Sequence, residues 1–204
     1  MENIFEYFKE YLGGKREETI TNHEASMLTA ISWSLKSKDP STQVGACIIH
    51  EDGRLLTAGY NGTPKGWDDE SFPWDNKVSK IGEQNTKYPY VVHAEMNVIC
   101  NYKGSNLDLK NSTIYVTLFP CANCAKLIVQ SGIKRVIYLV DDRKDSLDES
   151  TKRENLTTKL LLAKCGVEVI SFDELKTINE VNVSLSENNK KNIKIIRLEN
   201  KTNS

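Results

Sequence analysis

The period of the apolar positions changes repeatedly along this chain, and the changes mark out its elements. Ile4, Phe5, Phe8 and Leu12 recur at helical spacing and predict a short amphipathic helix, broken by "GGKREE". A second helix is expected from an N-cap at Thr21 or Asn22, carried by Ala25, Leu28, Ile31, Trp33 and Leu35 and stopped before Pro40. "TQVGACIIH" and "RLLTAGY" read as two strands joined at the hairpin turn "EDG". Residues 61–90 are dense in Gly, Pro, Asn and Asp and predict a long irregular excursion, and loops of that length tend to carry function. Helical spacing resumes at His93 and runs to about Tyr102. "STIYVTLF" is then a strand, "CANCAKLIVQSG" a helix with a Gly stop, "KRVIYLV" a strand, "ENLTTKLLLAKCG" a helix and "VEVISF" a last core strand.

Helix, strand, strand, then helix–strand repeated predicts an α/β domain whose mixed sheet is covered by helices on both faces. The expected organisation is an N-terminal helical extension over residues 1–20, one domain over 21–172, and a polar tail over 173–204. That tail is rich in Asn, Lys, Ser and Glu and is expected to pack loosely, with "NIKIIRL" as a candidate added strand.

Composition narrows the function classes. At 204 residues, 39% hydrophobic and 27% charged, the chain suits a soluble protein with one sizeable core. A net charge of −1 supplies no global positive field for a long nucleic acid, so no nucleic-acid partner is expected. No apolar run approaches the roughly 18 residues of a membrane span. The opening "MENIFEYFKEYL" carries acids where a signal peptide would carry positive charge. Five Cys, an odd number, argue against a disulfide framework and for a reducing compartment, so a cytoplasmic location is expected.

Two motifs carry chemistry. His93-Ala94-Glu95 opens one helix, and Pro120-Cys121-Ala122-Asn123-Cys124 opens the next helix after a strand. Cysteines three apart lie on one helix face and can reach one ion. Thiolates at a helix N-terminus are favoured by the positive end of its dipole. A neutral His and two thiolates suit Zn2+ and leave a fourth position for water, which Glu95 is close enough to deprotonate. H-x-E followed by P-C-x-x-C is the signature of zinc-dependent nucleobase deaminases. The plainer readings are a redox Cys pair or half of a structural zinc site. The first leaves His93 and Glu95 without a role. The second needs a fourth ligand, and Cys47, Cys100 and Cys165 sit singly in apolar runs as expected core residues, while His23 and His50 lie at element ends, as surface His do.

Beyond the zinc motifs, "SKDPSTQVGACII", "GYNGTPKG", "FPW", "TKYPYVVHAEMNVI", "LFPCANCAKLIVQSGIK" and the "DS" of "VDDRKDS" resemble the deoxycytidylate (dCMP) deaminases of the cytidine deaminase superfamily, over roughly residues 22–170. The resemblance implies a three-layer α/β/α sandwich with a central mixed five-stranded sheet. It implies hydrolysis of dCMP to dUMP and ammonia for thymidylate synthesis, catalysed by a homohexamer activated by dCTP and inhibited by dTTP with Mg2+. By position, His93, Cys121 and Cys124 match the zinc ligands and Glu95 the proton shuttle. Asn61 matches a deoxyribose contact, and Ala94 a backbone contact to the base edge. Lys38, Ser41 and Thr42 of "SKDPST" resemble the phosphate-side loop. The turn Gly59, Tyr60, Asn61, Gly62 with Lys65 resembles the effector-binding segment. One departure stands out: Arg143 occupies a position where relatives carry an aromatic, typically Tyr. Arg143 suits a phosphate or an acid better than a base, which leaves the phosphate assignment open between Arg143 and the "SKDPST" loop.

Rival readings remain to be separated. One is a deaminase acting on dCTP, or on both dCMP and dCTP. Another is a tRNA adenosine or guanine deaminase, for which "GYNG" with "SKDPST" is not expected. The third is a non-catalytic nucleotide sensor, against which the intact Glu95 weighs.

Overall fold

A computed structural model of the chain describes residues 19–78, 82–177, 180–183 and 193–197. The expected N-terminal helix at Ile4–Leu12 lies outside the described residues.

Helix α1 (Asn22–Ser34) starts in a capping box: Glu24 N donates to Thr21 Oγ1 at 3.2 Å and Thr21 N donates to a Glu24 carboxylate oxygen at 2.7 Å. Strands β1 (Gly45–Ile49) and β2 (Leu55–Tyr60) form the expected antiparallel hairpin. After the irregular excursion, which holds a 3-10 turn at Glu83–Asn85, come α2 (Ala94–Asn101), a single turn α3 (Asn106–Leu109), β3 (Thr113–Leu118), α4 (Ala122–Gln130), β4 (Arg135–Val140), α5 (Glu149–Lys164) and β5 (Glu168–Ser171). α5 begins several residues earlier than its apolar periodicity indicates, because Asp148 caps it by accepting from Thr151 N at 2.7 Å.

The five strands form one sheet in the order β2-β1-β3-β4-β5. β1 pairs antiparallel with β2 and β3, while β3–β4 and β4–β5 are parallel. Alternation along the strands divides the core in two. Ile48, Ile114, Val116 and Val136 meet Ala94 and Val98 of α2, Ala125 and Ile128 of α4 and Leu162 of α5. Cys47, Tyr115 and Ile137 point the other way, onto Met27 and Ala30 of α1 and onto Phe172. The result is the expected α/β/α layering. α1 crosses the start of β1 so closely that a Cβ on Gly45 would lie 1.9 Å from the Ala30 carbonyl oxygen, which only glycine permits.

Three expectations change. Cys100 and Cys165, taken for core, are exposed at the C-terminal ends of α2 and α5, and only Cys47 of the three is buried. His23, taken for a surface residue, is half-buried with Nδ1 2.7 Å from the Tyr115 hydroxyl. In the tail, Ile193–Arg197 does form a strand, β7, but it pairs antiparallel with β6 (Glu180–Val183) in a separate two-stranded sheet instead of extending the main one. No helix among the described residues is long and apolar enough to cross a membrane.

Candidate metal centre and active site

The N-termini of α2 and α4 bring the two motifs together. His93 and Cys121 occupy the N-cap positions of these helices, both extended, and neither side chain makes the capping hydrogen bond that an N-cap residue ordinarily supplies. Both are therefore free to face each other. His93 Nδ1 lies 3.5 Å from Cys121 Sγ and 3.4 Å from Cys124 Sγ, and the three potential ligand atoms fall within 4.8 Å of one another. The sulfurs form no disulfide.

The electrostatics fit a cation. The hydrogen bond from the Cys124 thiol, helped by His93, holds Cys121 down to about 3. Its thiolate in turn raises His93, while sharing that proton and burial push Cys124 far up. Without a cation the trio must divide protons among closely placed donors. A divalent ion relieves that crowding, and one imidazole with two sulfurs is a donor set that Zn2+ takes. Glu95, in the first turn of α2 and 4% exposed, is raised chiefly by burial.

His93, Glu95 and Cys121 open onto a cavity of about 220 Å³ lined also by Asp39, Thr42, Val44, Asn61, Lys87, Tyr88, Ala94, Phe119, Asp142 and Arg143. Of the residues expected at the substrate, the cavity gathers Asn61, Ala94, Thr42 and Arg143. Asn61 is largely spent on structure: its Oδ1 accepts from Val44 N at 2.8 Å, and its Nδ2 donates to Thr42 O at 2.9 Å and to Asp39 Oδ2 at 3.2 Å. Arg143 donates from Nη2 to the Phe119 carbonyl, with its guanidinium 5.9 Å from the centre of the Phe119 ring. Its buried Nε has no partner among the described residues.

Lys38 and Ser41 do not line this cavity. Ser41 is exposed, and its hydroxyl accepts from Asn76 Nδ2 at 3.2 Å. Lys38 is drawn away by a direct ion pair with Asp69, into a second cavity of about 300 Å³. There it joins Gly59, Tyr60, Gly62 and Lys65 of the expected effector segment, with Trp33, Trp74, Asn97 and Asn101. Lys65 donates to Asn101 Oδ1 at 2.7 Å, and the Trp33 and Tyr60 rings stack at 6.1 Å. Asn61, the fifth residue of that segment, faces the metal-side cavity instead.

Asp39, Lys87, Tyr88 and Phe119 were not anticipated as site residues. Asp39, Lys87 and Tyr88 belong to "SKDPST" and "TKYPYVV", and Phe119 immediately precedes the zinc-motif Pro120, so proximity to the recognised motifs was the available signal.

Comparisons with known proteins follow the same lines. The family model described as "Cytidine and deoxycytidylate deaminase zinc-binding region" matches residues 20–140. The deoxycytidylate deaminase of Homo sapiens is 41% identical over 169 residues, covering 80% of this chain and 92% of that protein. The Mus musculus deoxycytidylate deaminase is 39% identical over 168 residues, with the same shares covered, 80% and 92%. Among solved structures, the dCMP deaminase of cyanophage S-TIM5 in complex with dCMP and dUMP superposes with a TM-score of 0.54 at 30% identity, covering 72% of this chain and 94% of that one.

Proposed function

The chain belongs to the cytidine and deoxycytidylate deaminase family, and from that premise we propose that it is a zinc-dependent dCMP deaminase, with residues 21–172 as its deaminase domain. It hydrolyses dCMP to dUMP and ammonia and supplies dUMP for thymidylate synthesis. The observation that carries this reading is that buried Glu95 lines one cavity with His93 and Cys121, which form a ligand set with Cys124.

His93, Cys121 and Cys124 hold the zinc ion. Bound there, zinc supplies the Lewis acidity that makes water a nucleophile near neutral pH. Glu95 accepts the proton released as the water oxygen bonds to C4 of cytosine, passes it to N3, and delivers a second proton to the departing amine. Oxygen is gained, ammonia leaves, and the carboxylate is regenerated. Burial of Glu95 keeps bulk water from competing for those protons. The backbone of Ala94 meets the base edge. Asn61, its orientation fixed by Val44 and Thr42, keeps one acceptor position of Oδ1 for the sugar hydroxyl. Thr42 and Arg143 take the phosphate, and the unpartnered buried Nε of Arg143 supports that assignment.

The second cavity is assigned to regulation: dCTP as activator and dTTP as inhibitor, each with Mg2+. Lys38 and Lys65 offer charge to a triphosphate, and the cavity-lining rings of Trp33 and Tyr60 offer an apolar face to a base. A hexamer acting in the cytoplasm completes the reading.

The test is a substrate panel of dCMP and dCTP, each with and without the two triphosphates plus Mg2+, scored by ammonia release and the ultraviolet shift. Fast turnover of dCMP, raised by dCTP and lowered by dTTP, is expected. No turnover of dCMP under any condition overturns the substrate, and faster turnover of dCTP hands the reading to the triphosphate. Sedimentation as a monomer at micromolar concentration overturns the hexamer.

A further inference from the structure

One wall of the metal-side cavity contains a charge pair that the deamination chemistry does not use. The Asp39 and Lys87 side chains are 1% and 4% exposed, and Lys87 Nζ lies 2.7 Å from both carboxylate oxygens. The same carboxylate accepts from Ser41 N at 2.9 Å, Thr42 N at 3.1 Å and Asn61 Nδ2 at 3.2 Å. Lys87 is anchored along its backbone as well. Its N–H donates to Asp75 O at 2.9 Å, and its carbonyl accepts from Tyr90 N at 3.0 Å and Val91 N at 2.8 Å, just ahead of His93. The 37–44 loop, the end of β2 and the turn that delivers the metal-ligating His93 thus converge on one carboxylate.

Stability does not account for this arrangement. Removing two charges from water costs several kcal/mol per ion, and apolar side chains of the same volume commonly serve as well or better. What an apolar pair cannot do is fix the direction of several donors at once, and with them the shape of the wall. Lys87 Nζ also lies 5.7 Å from the centre of the Tyr88 ring, and both residues line the cavity.

We propose that Asp39 and Lys87 are a positioning pair for the substrate, locking the 37–44 loop to the segment carrying His93 and so setting the sugar-and-phosphate side of the cavity relative to the metal ligands. The proposal rests on the dCMP deaminase reading. Its effect belongs in KM, because zinc, Glu95 and the base-edge contact stay as they are.

The experiment compares zinc-loaded full-length protein with Lys87→Met and with the double variant Asp39→Asn/Lys87→Met, measuring zinc per chain, melting temperature, kcat and KM for dCMP. Lys87→Met strands a buried carboxylate. It is expected to melt earlier and to raise KM about tenfold or more, with kcat within about threefold and zinc unchanged. The double variant removes both charges while leaving an acceptor for Ser41 and Thr42. It is expected to melt above the single variant, though short of the parent because the new amide sets a donor against Asn61 Nδ2, and still to show the raised KM. If KM recovers together with stability in the double variant, the pair is structural only and the proposal fails. It fails equally if Lys87→Met keeps the parental KM, or if kcat falls as far as KM rises. Should the single variant not fold, the double variant decides by its KM. A parent protein that never turns over dCMP refutes the substrate reading instead, a result read on the parent alone.

Discussion

Lys38 and Asp39 are neighbours in the chain and serve different cavities under opposite physical conditions. Asp39 holds Lys87 in a pair almost wholly withdrawn from water, among backbone and amide donors. Lys38 holds Asp69 with side chains 63% and 32% exposed. The end of β2 divides the same way: Tyr60 lines the second cavity and Asn61 the metal-side one. One loop and one strand end therefore line two cavities back to back. The metal side is held by desolvated, multiply bonded groups whose geometry cannot drift, while the other side is lined by solvated charges free to exchange a partner for a ligand. Reaction chemistry needs the first condition, and reversible binding of a small anion tolerates the second.

The contrast breaks most readily at the metal. Cys124→Ala removes a buried ligand at the start of α4, and we expect zinc to be lost and dCMP turnover to become undetectable. Unchanged metal content and rate in that variant would remove the site from the metal-side cavity altogether. Glu95→Gln is the next largest effect. It keeps the shape and removes the proposed proton carrier, so kcat should fall by about 10²–10⁴-fold with one zinc per chain retained. Near-parental activity would take Glu95 out of the mechanism.

Why the metal ligands and Glu95 were legible, and the buried pair beside them was not, follows from sequence separation. Cys121 and Cys124 sit three apart at the start of one helix, where side chains share a face, and His93-Ala94-Glu95 is a compact motif of residue types, but the meeting of the two motifs, 28 positions apart, comes only from the fold. The sheet was legible for a similarly local reason, since its strands are short runs rich in apolar and β-branched residues set between a hairpin turn and helices that end at Gly. Asp39 and Lys87 are 48 positions apart, and neither carries a pattern until the excursion between β2 and α2 folds back. Lys38 read as a phosphate cation because its residue type suits one, and only the fold shows Asp69, 31 positions on, claiming it. Cys100 and Cys165 read as core because apolar neighbours surround them, but at helix ends the facing direction turns with each residue. The hairpin of β6 and β7 was half-visible, because β7 has an apolar run and β6 pairs through backbone bonds that any side chains permit.

Glu24 supplies an intermediate case, a buried carboxylate that accepts from threonine donors. It accepts from Thr21 N at 2.7 Å, from Thr177 N at 2.7 Å and from Thr177 Oγ1 at 2.8 Å, tying the start of α1 to the root of the C-terminal segment. Burial alone would raise it, but these hydrogen bonds outweigh burial and bring it from 4.5 down to about 2. A depressed folded value means the stabilisation is fully present above about 4.5 and is lost as pH falls towards about 2. Glu24→Gln should cost roughly 1.5–3 kcal/mol at pH 7, which for a chain of this size lowers the melting temperature by about 4–8 °C. The gap between parent and variant should close as the pH is taken down through that window. A gap that stays constant from pH 7 to pH 2 would show that the charge contributes nothing.

The smallest effect belongs to the exposed pair, and its smallness is the point. Asp69 lies below the usual carboxylate range, chiefly through its hydrogen bond from Lys38, yet both groups remain in contact with water, so little is gained on folding that solvent did not already supply. Asp69→Asn should therefore move the melting temperature by no more than about 2 °C. Whatever shift there is should vanish near 1 M salt, where the screening length contracts to about 3 Å. The buried pair should behave oppositely, because ions cannot reach Asp39 and Lys87, and the loss in Lys87→Met should persist at any salt concentration. A large, salt-independent loss in Asp69→Asn would place the Lys38 side in the same regime as the Asp39 side. The two cavities would then share one rigid frame, and the division of labour between neighbouring residues argued from exposure would not hold.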